Sequence, residues 1–375
     1  MKGLKYLLII LVLLSRCNNH SEVKIIITNN DIVRQNETIE ITTESLDSVA
    51  PNLNIKDLQV YNANDQLIIS QKIDEDMDGK TDLIIFQTNL EPQEEQLFAL
   101  KPGKAPMVDT KTFCRFVPER KNDFAWENDR IAYRMYSKKL EKEENVDSGI
   151  DVWAKRGSDL IIDKWYKHGD YHTDNGEGLD FYKVGPSRGC GSLALLKNGK
   201  MYGFGGYTDW KIITNGPIRS TFELSYAPIE VDGKQYRETK RISLDAGWNL
   251  NRIESRIEAN EEIKVTIGLA IHDKQGQGSV QYNEKFGYVS FWEPATKDNG
   301  NLGTGIVIDN DKYLNGKRIE NHHAIISSVK SDESVRYYAG AGWDKSRHFE
   351  DQDSWNQYIK NVAQRINNPV KITLR

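Results

Sequence analysis

The chain has 375 residues, with 50 Lys and Arg against 55 Asp and Glu and a formal net charge of −5 at pH 7. So balanced a composition has no basic field to draw nucleic acid and excludes it as a partner. Seventeen Tyr and eight Trp suit sugar binding, where flat rings stack on the apolar faces of pyranoses, although many of them must simply be core.

The first residues, MKGLKYLLIILVLLSRC, carry two lysines, an apolar run from Tyr6 to Leu14, and the ending Leu14-Ser15-Arg16-Cys17. The run is well short of the ~20 residues of a spanning helix, and Leu-x-x-Cys closes a bacterial lipoprotein signal. Residues 1–16 are therefore expected to be a signal peptide, Cys17 the lipidation site and residues 17–22 a lipidated tether. An exported lipoprotein of the outer membrane follows, facing the periplasm or the cell exterior and touching the membrane only through its anchor. Cys114 and Cys190 are the remaining thiols, and export permits a disulfide between them.

Beyond the tether nearly everything reads as strand. Alternating or continuous apolar runs occur at Val23–Thr28, Thr38–Thr42, Leu67–Gln71, Asp82–Gln87, Arg130–Tyr136, Asp159–Trp165, Ser220–Tyr226 and Lys264–Ile271. They continue at Gly287–Trp292, Gly305–Ile308, His323–Val329 and Ser334–Tyr338. With turn signals such as Asn198-Gly199 and Asp232-Gly233 between them, they predict an antiparallel, all-β protein. Proline, glycine and charge at Pro102–Asp109 suggest a boundary between a small N-terminal β-sandwich domain, residues 23–108, and a larger catalytic β body, residues 109–375.

Asp74 to Asp82 reads D-x-D-x-D-G-x-x-D. Alternate carboxylates around a glycine bend form the oxygen cage calcium prefers. Ile85 stands where a helix-loop-helix site needs glutamate, and strand follows, so Asp74, Asp76, Asp78 and Asp82 are candidate ligands of a structural Ca2+. The other reading is a plain acidic turn. No cofactor is expected to be required for catalysis.

In the strand after Glu127-Asn128-Asp129, alternation sends Arg130, Ala132 and Arg134 one way and Ile131, Tyr133 and Met135 the other. An arginine facing a cleft can grip a carboxylate, which makes Arg130 a candidate substrate-binding residue, although ion pairs on a solvated sheet face are as ordinary an explanation.

Trp165 to Gly191, WYKHGDYHTDNGEGLDFYKVGPSRGCG, concentrates histidine, tyrosine, charge and six glycines. Glycine lets backbone approach a ligand closely. His172, Tyr182, Tyr171 and His168 are the side-chain types for proton transfer, Arg188 for anion stabilisation, and Glu177, Asp180 and Lys183 for substrate binding. A long polar loop pinned by its aromatics is the competing explanation. His168 and His172 are four apart, but Gly169-Asp170 between them opposes the helical geometry zinc needs.

Further along, His322 is a candidate for the cleft, since of the adjacent pair His322-His323 at most one can face it. Trp292 and Trp343 are candidate stacking platforms, with core packing the default for both. Ser354-x-x-Gln357 reads as a capping box, with Trp355, Ile359, Val362 and Ile366 at helical spacing, so one C-terminal helix is predicted before a last strand at Val370–Leu374.

ENDRIAYRMY at 127–136, SGIDVWAKR at 148–156, YHTDNGEGLDFYKVGPSRGCG at 171–191 and NGPIRSTFELSY at 215–226 together resemble the DUF4861 family of exported Bacteroidetes-type proteins, over almost the whole mature chain. The resemblance implies a large curved two-sheet β-supersandwich of the kind shared by galactose mutarotases and several polysaccharide lyases. It also implies a role beside the breakdown of acidic plant and algal, ulvan-like polysaccharides, hence a uronate-containing oligosaccharide as partner.

Chemistry then narrows the expectation. A uronate has an acidified proton at C5 and a leaving group at C4, and elimination needs a cation on the carboxylate, a base and an acid. A carbon–oxygen lyase is expected, specifically an oligosaccharide dehydratase that removes water at the non-reducing-end uronate and leaves a 4,5-unsaturated sugar. The alternatives are a glycoside hydrolase using Glu177 with Asp180 or Asp129, and a lipoprotein that only captures glycans.

Overall fold

A computed structural model describes residues 22–51, 53–141, 143–272, 277–331 and 333–375. The expected signal peptide, Cys17 and most of the tether lie outside the described residues.

The N-terminal unit packs two small antiparallel sheets face to face. One runs in the order Lys371–Leu374, Val23–Thr28, Glu95–Pro102, Leu58–Asn62, Leu67–Ile68; the other in the order Arg34–Thr42, Leu83–Leu90, Ser70–Ile73. Period-two burial points Val23, Ile25, Ile27, Ile39, Ile41, Phe86 and Leu100 into one shared core. The chain's last strand pairs antiparallel with its first, from Ile25 opposite Leu374 to Thr28 opposite Lys371, so the C-terminus returns to the N-terminal unit.

The large body is all-β, as the alternation predicts. A nine-stranded sheet faces two five-stranded sheets, one containing Thr112–Val117, Asp123–Asn128, Ile131–Met135, Asp151–Lys155 and Gly178–Asp180, the other built on Cys190–Lys197, Ile263–Ala270 and His322–Val329. Their inward residues form one core, in which Phe124 stacks on Phe222 at 4.3 Å. Asn198-Gly199 and Asp232-Gly233 form the tight hairpins they signal, each with both residues in the left-handed region. Cys114 and Cys190 are free, buried thiols.

Among the described residues four α-helices interrupt the sheets: α1 (Thr43–Val49), α2 (Lys138–Glu141), α3 (Ile162–His168) and α4 (Gln352–Asn367). Helix α4 is the expected C-terminal helix, but its N-cap is Asp351. The Asp351 carboxylate accepts from the Ser354 backbone N–H at 2.9 Å while the Ser354 hydroxyl accepts in return from the Asp351 N–H at 3.1 Å. The box begins three residues earlier than Ser354 because aspartate there serves as well as serine. Trp355 and Ile359 of α4 lie on Gly303 and Gly305 of the nine-stranded sheet, where a β-carbon would come within 2.5 and 2.4 Å of those side chains. The predicted strand Asp159–Trp165 is a correction. Ile161, Ile162 and Trp165 bury together at helical spacing in α3, and Gly169 closes the helix in the left-handed conformation.

Candidate functional site

The strand carrying Arg134 splits as alternation requires: Ile131, Tyr133 and Met135 join the main core, whereas Ala132 faces outward beneath α3. On that outer face Arg134 is buried among three aspartates. Its Nη2 is 2.6 Å from Asp151 Oδ2 and 3.4 Å from Asp180 Oδ2, and its Nη1 is 3.8 Å from Asp123 Oδ2. The Tyr136 hydroxyl donates to Asp151 at 2.9 Å. One guanidinium cannot balance three buried carboxylates. Burial pushes Asp123 up to about 7 despite Arg134, and burial together with Asp151 holds Asp180 well above the usual carboxylate range. Glu127 belongs to the same sheet, pairs with buried Lys155 at 2.8 Å and accepts the backbone N–H groups of Ile161 and Ile162 at 2.8 Å, which pins the start of α3.

The long polar segment lies over this face. His172 is 65 % exposed, with Nδ1 3.0 Å from the Asp180 carbonyl and 3.7 Å from its carboxylate. Tyr171 is buried and stacks on Trp153 at 4.7 Å, its hydroxyl 3.4 Å from Arg134. His168, Tyr171 and Glu177 line one cavity of 370 Å³ with Lys164 and Asp170. Lys164 holds the Glu177 carboxyl below its usual range.

Other expected site residues lie elsewhere. Arg188 is buried, donates to Ser148 Oγ at 2.8 Å and pairs with Asp147. Its backbone N–H donates to His322 Nε2 at 2.9 Å, and burial, then Arg188, pushes His322 down to about 4. Tyr182 is also buried, its hydroxyl without a hydrogen-bond partner and its ring edge-on to His272 at 4.7 Å. Lys183 is exposed, and its carbonyl lies 2.5 Å from His272 Nε2. Trp292 and Trp343, expected as stacking platforms, are 8 % and 1 % exposed and offer no ring face to a sugar. The segment thus brings His172, Asp180 and Tyr171 together and leaves Arg188 and Tyr182 in the interior, where His322 also lies.

The acidic loop brings Asp74, Asp76 and Asp78 within 4.8 Å of one another, a donor set of the hard oxygen type that calcium takes. Asp82 instead accepts from the Glu75 backbone N–H at 2.7 Å.

Arg130 lines a second cavity, of 310 Å³, where the N-terminal unit meets the large body. Lys111, Arg156, Arg347 and His348 line it with Asp129. Arg156 pairs with Asp174 and lies 4.7 Å over the Trp343 ring. Among the described residues Lys111, Arg130 and Arg347 have no carboxylate partner within ion-pair distance. Arg347 is held in the left-handed region at φ 67°, a strained conformation that bulky side chains rarely adopt. Partial desolvation and, after it, the Arg130 guanidinium keep His348 below the ordinary histidine range, so its ring is neutral at pH 7. Lys111 and the adjacent pair Arg347-His348 carry no motif; they come from two separate segments and meet only in space.

A family model described as a domain of unknown function, DUF4861, matches residues 27–372. Uncharacterized protein P7 of Formosa agariphila is 34% identical over 395 residues, covering 99% of this chain and 98% of that protein. Two solved structures from Enterococcus faecalis have a similar fold. A protein in glycosyl hydrolase family 38 matches with TM-score 0.55 and 10% identity over 94% of this chain. An alpha-mannosidase matches with TM-score 0.50 and 11% identity, also over 94%. The chain spans about half the length of each, 47% and 46%.

Proposed function

The chain belongs to the DUF4861 family, and from that premise we propose that it is a carbohydrate-active lyase acting on uronate-containing oligosaccharides at the Arg130 cavity. The reaction is loss of water at the non-reducing-end uronate, giving a 4,5-unsaturated sugar. The observation that carries this reading is a pocket in which Lys111, Arg130 and Arg347 have no acidic partner among the described residues and which the His348 imidazole also lines, its basicity lowered by burial and Arg130. The names of the two fold neighbours, a family 38 glycosyl hydrolase and an alpha-mannosidase, support a saccharide as substrate class; a shared fold says nothing of the reaction.

Arg130 and Arg347 neutralise the uronate carboxylate, which lowers the cost of negative charge developing at C5. His348 takes the C5 proton. The electron pair forms the C4–C5 double bond, the C4–O bond breaks, and the imidazolium returns the proton to the departing oxygen on the same face. C5–H and C4–O are broken, C4=C5 is formed and water leaves. Hydrolysis at the other cavity is disfavoured, because it needs a proton-holding carboxyl opposite Glu177, and Asp180, the carboxyl that burial raises, is buried against Arg134 and does not line that cavity.

The test is incubation with a panel of uronate oligosaccharides, read by ultraviolet absorbance and mass. A dehydratase gives absorbance with loss of one water, a depolymerising lyase gives absorbance with chain cleavage, a hydrolase gives a reducing end without absorbance, and a capture protein changes nothing. His348→Ala is expected to lose about 10²–10⁴-fold in rate and Arg130→Ala to raise KM. Because His348 must be neutral, the acid limb of the rate profile is expected below pH 6.5, the ordinary value from which it is lowered. Full activity in His348→Ala together with loss in His172→Ala would move the chemistry to the His172–Asp180 face.

A further inference from the structure

The Arg130 cavity has a neighbour in the same seam. A cavity of 360 Å³ lies between the strand Arg34–Thr42, the outer face of the nine-stranded sheet and the end of α4. Asn36 and Gly247 line the first cavity, while Glu37 and Trp248, next to them in sequence, line the second. The partition is the Trp248 indole, whose N–H donates to the Asn36 carbonyl at 2.9 Å.

The two cavities differ in charge. Four arginines and four carboxylates line the second, and every arginine has an acidic partner. Arg219 bonds Asp245 at 2.6 Å and Glu40 at 2.7 Å, Arg252 bonds Glu40 at 2.9 Å, Arg336 bonds Glu254 at 3.0 Å, and Arg365 donates to Glu37 at 2.7 Å. No cation is left over for an anion. What is free is a hydroxyl and a carboxyl that sugar hydroxyls can meet: the Tyr338 hydroxyl and the Asp309 carboxyl have no hydrogen-bond partner among the described residues, and burial with Asp311 holds Asp309 above its usual range. Trp248 and Tyr338 lie nearly parallel at 6.4 Å, and Leu250 and Ile366 add apolar wall. Apolar surface with unsatisfied donors and acceptors is what an uncharged pyranose requires.

We propose that this second cavity is a subsite for an uncharged sugar residue adjoining the uronate held at Arg130, so that one seam binds an acidic–neutral oligosaccharide across two sites. The inference rests on the reading of the Arg130 cavity given above. If the arginine pairs only hold the N-terminal unit on the body, substitutions here change stability and leave the preference between ligands untouched.

The experiment is calorimetric titration of the full chain with D-glucuronic acid, D-glucose and cellobiouronic acid, in which glucuronic acid is linked to glucose. The disaccharide is expected to bind about tenfold more tightly than glucuronic acid, the worth of one or two hydrogen bonds. Tyr338→Phe with Asp309→Asn is expected to abolish that gain and leave glucuronic acid affinity unchanged. Equal binding of the two acids, or a gain that survives in the double variant, overturns the subsite and leaves the Arg130 reading intact. Failure of glucuronic acid with retained glucose-dependent change in Trp248 fluorescence, absent in Trp248→Phe, overturns the uronate reading and keeps the neutral-sugar cavity. Silence from all three sugars overturns both.

Discussion

Asp123 is fully buried, with Oδ1 unpartnered and Oδ2 reached only at long range by Arg134 and the Tyr166 hydroxyl. Its carboxyl stands at about 7 in the folded protein against an ordinary 3.8. The native state therefore binds a proton that the unfolded chain has released, and stability falls as pH rises through that window. The displacement corresponds to roughly 4 kcal/mol as an upper bound. Asp123→Asn is expected to flatten the melting temperature between pH 4 and pH 7, with the variant at least as stable as the parent at pH 8. Parallel profiles would move the proton to another member of the cluster. In sequence, Asp123 is one acid among fifty-five; only its depth under α3 distinguishes it. The same holds for His348, whose ring is set apart only by the Arg130 guanidinium that a distant turn brings beside it.

Among the elements, the hairpin from Ile73 to Leu83 carries the most legible motif. Alternate aspartates and Gly79, in the left-handed region at φ 88°, produce the tight turn they predict. Backbone N–H groups of Asp78 and Gly79 donate to Asp74 at 3.1 and 2.8 Å, and Lys80 Nζ pairs with Asp78 at 2.8 Å, so a hard cation would compete with Lys80 for the three clustered carboxylates. Calcium is expected to raise the melting temperature, by about 2.7 kcal/mol of stability at a hundredfold excess over Kd, and a chelator to lower it, with turnover in the cold unchanged. Identical melting curves with calcium and with chelator, starting from metal-free protein, would reduce the loop to a plain turn. Helix α3 shows the opposite case. Its seven residues are too few for periodicity to separate helix from strand, and what decides it is Glu127, holding the first N–H groups from another strand.

For the whole molecule, the first seventeen residues remain a proposal whose test is fractionation. Cys17→Ala is expected to release the protein from membranes without altering turnover, since the apolar run is too short to hold it; retention of a correctly processed variant would refute the lipid anchor. Strand alternation, the hairpin signals and the α4 pattern determined an all-β chain with one long C-terminal helix, because these depend on neighbours within a few residues. The sequence by itself also marked Arg130, and the 165–191 segment as chemically dense. Tertiary structure alone decided the rest. It paired Lys371–Leu374 with Val23–Thr28, buried Arg188, Tyr182 and both candidate tryptophan platforms, and assembled Lys111, Arg130, Arg347 and His348 into one cavity. Burial and the meeting of distant loops are properties of long-range register, and no local spacing encodes them.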